Sequence, residues 1–483
     1  MRVVVIGGGV IGSSIAWRLA RVGDAVTVLE RGRIGQEASW AAAGMIAPQA
    51  EAQASGPFFE LCLRARDAFA ATVAPLRAES GIDPEYDEAG ILYVAFDETE
   101  AAELRERAKW QIAAGGEVEE LSAAEARQLE PQLSAGVVYA LHLPRDRRTD
   151  NRELTRAYAA AALAHGAEYR EGARVAGVVT SNAKATGVRL HGGEELAADI
   201  VVNAAGAWAG DIAGLESDQI HLTPVRGQIL CFDGVRTLRG PAVFSLHGYL
   251  VPRRDGRLLA GSTMEEVGFD KCVTLEGIAK IAQGAVKMVP GLKGVAFREA
   301  WAGLRPASRD FLPILGRSPS VANVIYATGH FRSGILLSAL TGEIIADLLH
   351  ERAPMLDLKP FAPDRFIAKP AIAALGLVRD ILFRSRIDAV AQALGREVAY
   401  ASTLEQAVAR CAEDRPAVVF ADLSDQNFPA EATAAALRRA PHARLIGFAS
   451  HVDLKGLAAA RAAGFDLTLS RSEFNSRLGE LLG

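Results

Sequence analysis

Three glycines and one acid near the N-terminus carry the first chemical signal. In GGGVIG, Gly7, Gly9 and Gly12 follow an apolar run at residues 3–6 that reads as a strand covered on both faces. Gly7 permits a tight turn out of that strand. Gly9, lacking a Cβ, lets a pyrophosphate come close to the backbone, and Gly12 lets the next helix pack against the sheet. That helix opens at Val10 and Ile11 and presents unpaired N–H groups and a positive dipole end to the phosphates. Glu30 ends a second apolar run about twenty residues after the glycines, where a carboxylate accepts hydrogen bonds from ribose hydroxyls and repels a 2′-phosphate. Strand, glycine turn, helix, strand and acid in this order form the βαβ unit that binds an adenine dinucleotide. The unit points to redox chemistry with FAD or NAD, and away from NADP.

A second group of residues suits an anionic substrate. Arg305 lies in WAGLRP between Gly303 and Pro306, a rigid setting for a planar fork that grips a carboxylate through two parallel hydrogen bonds. The same setting also suits a structural ion pair. Tyr249, in HGYLVPR, reads as a strand residue whose hydroxyl is either a second donor to that carboxylate or an ordinary core group. His247, two residues earlier, is expected on the same strand face, with a satisfied core histidine as the alternative. Small residues crowd residues 31–45 and suit either close backbone approach to a bulky ligand or a tightly packed loop.

Positioning these groups takes a large scaffold. The 483 residues suffice for two or three domains, and a hydrophobic content of 50% suffices for substantial cores. A net charge of −5 without a long basic run argues against nucleic acid or an anionic membrane as the main partner. The apolar N-terminus is broken by glycines and runs directly into the dinucleotide helix, so it does not read as a removable leader, and no apolar run reaches the roughly twenty residues of a bilayer span; a cytoplasmic protein is expected. Cys62, Cys231, Cys272 and Cys411 are widely spaced with no CxxC pair, which predicts reduced thiols rather than a metal site or a redox disulfide. Periodicity predicts helices over 58–76, 97–113 (charged and mostly exposed) and 151–165, and strands over 90–96, 175–179 and 186–190. Residues 198–208 read as an apolar strand ending in small residues. Near 328–337 a strand ends at Gly329 and a helix begins at Ser333 and Gly334.

The segments GGGVIG, ASWAAAGMIAP, HGYLVPR, WAGLRP and TGHFRSGILLS occur in one order and at family-like spacing. Residues 1–366 resemble the FAD-dependent amine and D-amino-acid oxidase group, and most closely the glycine oxidases of thiamine biosynthesis. The resemblance implies a Rossmann-like FAD-binding α/β domain, built from separated segments and interleaved with an antiparallel-sheet substrate domain. It implies FAD contacts from Gly7, Gly9, Val10, Ile11, Gly12, Glu30 and Arg31, then from Ser39, Ala42, Ala43, Gly44 and Met45. Further contacts are implied from Val175, Ala205, Gly206 and Trp208, where residues 198–208 return beside Gly7. At the flavin ring the implied residues are Gly329, His330, Phe331, Arg332, Ser333, Gly334, Ile335 and Leu336, whose helix N-terminus favours the negative charge that grows on reduction. Arg332 joins Tyr249, Arg305 and His247 near the substrate.

Relatives that attach FAD covalently carry a cysteine shortly after GLRP. Residues 307–316 contain none, so a dissociable FAD is expected. Apart from His247 and Tyr249 the motifs hold no obvious general base, which suits direct hydride transfer to flavin N5 from the α-carbon of an amino acid whose amine is neutral and whose carboxylate is held. Glycine is the preferred substrate; sarcosine or a small D-amino acid would make the same carboxylate contact, and oxygen and another electron acceptor both stay open. The resemblance also implies a homo-oligomer.

Beyond a proline-bearing link at 354–370, residues 371–483 alternate strands and helices in five βα units, which predicts a flavodoxin-like parallel sheet. This part is similar to response-regulator receiver domains, with Asp422 at the phosphorylated position. Phosphoryl transfer there needs a magnesium site and a lysine. The chain offers Arg379 and Asp380 in place of an acidic pair, Arg471 in place of the lysine, and Ala449, followed by Ser450, in place of a switching hydroxyl. The departures imply a degenerate receiver that binds a protein partner. Two functions are therefore weighed: an amino-acid oxidase that depends on Arg305 and Tyr249, and a flavin redox sensor that signals through the C-terminal module.

Overall fold

Arg2–Ile6 is the centre of a six-stranded sheet, and its Val and Ile side chains are buried on both faces. It pairs in parallel with Ala25–Leu29 on one side and Ile200–Asn203 on the other, with Ile6 opposite Asn203, so the chain does return beside Gly7. Glu168–Arg170 and Val324–Thr328 extend the two edges in parallel, and Ile314–Arg317 adds an antiparallel strand. Helices Val10–Arg21, Asn151–Ala164 and Gly334–Leu349 bury one apolar layer that includes Ile15, Trp17, Tyr158 and Ile344.

The computed structural model describes residues 1–233, 238, 240–366, 372–437, 443–450 and 453–482. The expected junction at Pro370 and residue 371, and the expected helix end at Ala440, lie outside the described residues. Chain contacts separate two compact units, Met1–Ile367 and Ala368–Gly483.

The second sheet of the first unit has nine strands. Its backbone is the full-length antiparallel pairing of Leu222–Phe232 with Phe297–Ser308, which sets Val225 opposite Arg305 and Gly227 opposite Gly303. The sheet is mixed rather than wholly antiparallel, because Ile91–Ala95 pairs in parallel with Ala242–Ser245. The long intervening chain permits the crossover that a parallel pair requires. Helix Glu98–Ala113, capped by Asp97, also departs from expectation. Despite its charge it buries Ala101, Leu104 and Ala108, a stripe at helical spacing.

In the second unit five parallel strands run in the order Glu397–Tyr400, Ile372–Leu377, Val418–Asp422, Arg444–Ala449, Leu467–Ser470. This 2-1-3-4-5 order is the flavodoxin-like one. Phe448 and Phe474 stack in its core with centroids 4.3 Å apart. No described helix of the chain is long and apolar enough to cross a membrane.

Candidate active site

A cleft of about 1850 Å³, its open mouth included, runs from the C-terminal ends of the parallel strands to the long-stranded sheet. At one end the glycine turn is built by exclusion. Gly7 has φ +105°, and a Cβ there would lie 2.5 Å from the Ala204 carbonyl oxygen. A Cβ on Gly12 would lie 1.9 Å from the Gly7 carbonyl oxygen, so this glycine lets helix Val10–Arg21 seat against the turn without itself lining the cleft. Gly9 caps that helix without a side chain, and the Val10 N–H donates to Ser39 Oγ at 2.9 Å. The Glu30 carboxylate accepts from Gly8 N–H at 2.9 Å and Gly32 N–H at 2.8 Å, which fixes its orientation and leaves about two of its four lone-pair sites for a ligand. Arg31 pairs with Glu37 at 2.7 Å and lies 3.3 Å over the Trp208 ring.

These features fit FAD: an open helix N-terminus for a pyrophosphate, an oriented acid for a ribose, and walls of small residues for a bulky ring system. Of the residues expected on the cofactor side, only Gly12 and Gly329 do not line the cleft. Gly329 has φ +70° and sits within 3.1 Å of Ile314 when given a Cβ, so it lets the loop pass the neighbouring strand. His330 is buried against Thr341 at 3.1 Å, and burial pulls its imidazole down to about 3, which keeps it neutral. Ser333 makes no side-chain cap to helix Gly334–Leu349, so the first N–H groups lack a side-chain acceptor where they border the cleft.

The other end holds two of the expected substrate residues on strands of one sheet, Phe297–Ser308 and Gly248–Pro252. Arg305 donates to the Thr263 carbonyl at 3.1 Å and the Ser262 hydroxyl at 2.8 Å. Among the described residues no carboxylate forms an ion pair with it, and burial pulls its guanidinium below the usual range. Gly227, on the facing strand, makes the room: a Cβ there would lie 2.1 Å from Arg305 Nη1. Tyr249 packs over Gly261 and stacks on Phe244 at 5.4 Å. Burial raises its hydroxyl, which therefore stays a proton donor. Arg332 also borders the cleft, but it is ion-paired with Glu51.

His247 is placed elsewhere. The strand starts only at Gly248, whose φ of +131° breaks the alternation that would have put His247 beside Tyr249. The imidazole instead meets Glu100 Oε1 at 3.0 Å and lies edge-on to Phe96, outside the cleft.

The sequence reading missed Glu51, and it missed the buttress behind the small-residue segment. Half-buried Arg253 donates to the Thr149 and Ala43 carbonyls and to Asn151 Oδ1, while Asn151 Nδ2 donates to the Ser39 carbonyl at 2.7 Å. Burial pulls Arg253 down to about 10. Arg253 is the last residue of HGYLVPR and Asn151 opens a helix, so their only sequence signal was proximity to a motif. Glu51 had a fainter one, as an acid following a run of small and apolar residues.

In the second unit Asp422 is buried, its Oδ1 accepts from Ser424 N–H at 3.1 Å, and its Oδ2 is paired with Arg471. Asp380 caps helix Ile381–Ala393, and Arg379 lies 3.8 Å from Asp425. Ala449 is buried at the end of its strand.

Known proteins agree with this geometry. A glycine oxidase of Geobacillus kaustophilus (strain HTA426) is 35% identical over 376 residues, covering 77% of this chain and 98% of that protein. The crystal structure of glycine oxidase from Geobacillus kaustophilus superposes with a TM-score of 0.72 at 34% identity, over 76% of this chain and 100% of that one. Iminodiacetate oxidase from Chelativorans sp. BNC1 superposes with a TM-score of 0.69 at 29% identity, over 75% of this chain and 99% of that one. The family model for FAD dependent oxidoreductases matches residues 2–348, and the unit from Ala368 lies beyond that match. By its dinucleotide cradle and by these matches, the chain belongs to the FAD-dependent oxidoreductase family.

Proposed function

We propose that the chain oxidises glycine or another small amino acid at its α-carbon, giving an imino acid that water converts to the oxo acid and ammonia. The observation that carries this reading is Arg305, a half-buried cation beside Tyr249 with no carboxylate partner among the described residues. Leaving a charge held out of water uncompensated is costly, and a bidentate carboxylate ligand removes the cost. The residues of the glycine turn, Glu30 and the helix N-terminus at Gly334 would hold FAD, which would supply the two-electron acceptor for the α-carbon hydride, with dioxygen reduced to hydrogen peroxide in this reading. The chain's own part is positional: Arg305 and the Tyr249 hydroxyl hold the carboxylate, so that proximity and orientation supply much of the rate. The N-terminus of helix Gly334–Leu349 adds a positive dipole end at the cleft.

Similarity to glycine oxidases supports glycine first and a role in supplying thiamine biosynthesis. The Arg471–Asp422 pair supports a C-terminal unit that is not phosphorylated, and a role for it in binding a protein partner is part of the same proposal. A homo-oligomer belongs to the same proposal, and light scattering of the purified protein tests it. For the activity, oxygen uptake by the FAD-loaded protein is measured with glycine, sarcosine and small D-amino acids, beside anaerobic bleaching of the flavin by each. Uptake led by glycine is expected. Bleaching without uptake would make the protein a dehydrogenase, and no bleaching by any of them would overturn the substrate class.

A further inference from the structure

We propose that the Glu51 carboxylate accepts a hydrogen bond from the substrate's amino group and so distinguishes an amino acid from other small carboxylates. The inference rests on the amino-acid reading above. Once a carboxylate is held at Arg305 and Tyr249, the amino group lies one carbon away and needs an acceptor. Four acids border the cleft: Glu30, Glu37, Glu51 and Asp211. Glu30 is committed to the glycine turn, Glu37 pairs with Arg31 and Lys271, and Asp211 follows Trp208 at the cofactor side. Glu51 alone of the four influences both Arg305 and Tyr249 electrostatically. Its Oε2 is held by the ion pair with Arg332, but among the described residues no donor meets its Oε1, whereas both oxygens of Glu37 are engaged.

The backbone under Glu51 is held rigidly. Buried Asp146 accepts from the Ala50 N–H at 2.8 Å and the Gln49 N–H at 3.3 Å, and Gln111 Nε2 donates to the Gln49 carbonyl at 2.7 Å. Such support is what a contact with strict geometry needs. Arg332 compensates the acid's charge. The arrangement thus presents a cation for the carboxylate and a hydrogen-bond acceptor for the amino group.

The test uses holoenzyme and two ligand types: glycine, and acetate as a carboxylate without an amino group. Acetate affinity is read from the perturbed flavin spectrum, and glycine affinity from the concentration dependence of anaerobic bleaching. Glu51→Gln is expected to weaken glycine by about tenfold or more while leaving acetate unweakened, and Glu51→Asp to recover part of the glycine affinity. Glycine and acetate weakening together, or glycine unchanged, would overturn the inference. A wild-type protein that binds acetate but is bleached by no amino acid would overturn the amino-acid reading and the inference with it.

Discussion

Two charges withdrawn from solvent to different degrees, half-buried Arg305 and buried Asp422, are treated in opposite ways. Arg305, in the unit Met1–Ile367, has neutral partners only, a carbonyl and a hydroxyl, and borders a deep cleft. Asp422, in the unit Ala368–Gly483, sits where a strand end meets a shallow surface depression and already has its counter-ion in Arg471. A charge held out of water without a counter-ion gains one from a ligand or weakens the fold, whereas one with its counter-ion in place needs no ligand for compensation. The contrast teaches where to look for chemistry: Arg305 meets no anion among the described residues, and Asp422 already has its own arginine. A third treatment is seen at His330, which is buried without charge.

The comparison can be broken or sharpened at several points. The largest effect is expected from Gly12→Val, because even a Cβ would overlap the Gly7 carbonyl. The glycine turn cannot then form, and the purified variant should carry no flavin absorbance; retained FAD would show that the turn does not depend on this packing. His330 gives a pH effect. Its folded value near 3 lies below the ordinary 6.5, so the unfolded chain binds the proton first, and stability is lost as pH falls below about 6.5 toward 3. Between about pH 7 and pH 5 this one group should cost about 2 kcal/mol, measured by urea unfolding, and His330→Gln should lack that share. An unchanged pH slope in the variant would mean that other groups set it.

Tyr249→Phe should lower kcat/KM for glycine about tenfold with FAD retained, as expected for one lost hydrogen bond to a charged group. An unchanged value would reduce Tyr249 to packing. The smallest effect belongs to Arg471→Ala. Because Arg471 is partly exposed, the loss of its pair should lower the stability of the second unit by about 1 kcal/mol, read by thermal unfolding, and should leave kcat/KM untouched. A change in turnover would mean that the second unit takes part in catalysis.

How much of this was legible in the sequence depends on how local each cause is. The glycine turn and Glu30 answer to steric demands within a single βαβ unit, so residue types and spacing were enough. Arg305 was legible as a rigidly held fork, but that it has no carboxylate partner emerges only when Gly227 of the facing strand and Ser262, just past another strand, surround it. His247 was misplaced because strand alternation was extended one residue past Gly248, whose positive φ ends it. Glu51 was invisible for a different reason. Its significance comes from meeting Arg332 across nearly three hundred positions of chain, on a turn held by Asp146 and Gln111. The parallel strand pair in the second sheet likewise depends on a crossover that no local pattern encodes.

The most direct test of the central claim is an anaerobic titration of wild-type and Arg305→Leu holoenzyme with glycine, followed by flavin bleaching. If Arg305 is the substrate's carboxylate anchor, the wild type bleaches, and the variant keeps its FAD but needs about a hundredfold more glycine, as loss of a buried charged contact predicts. Equal bleaching of both at the same glycine concentration would contradict it.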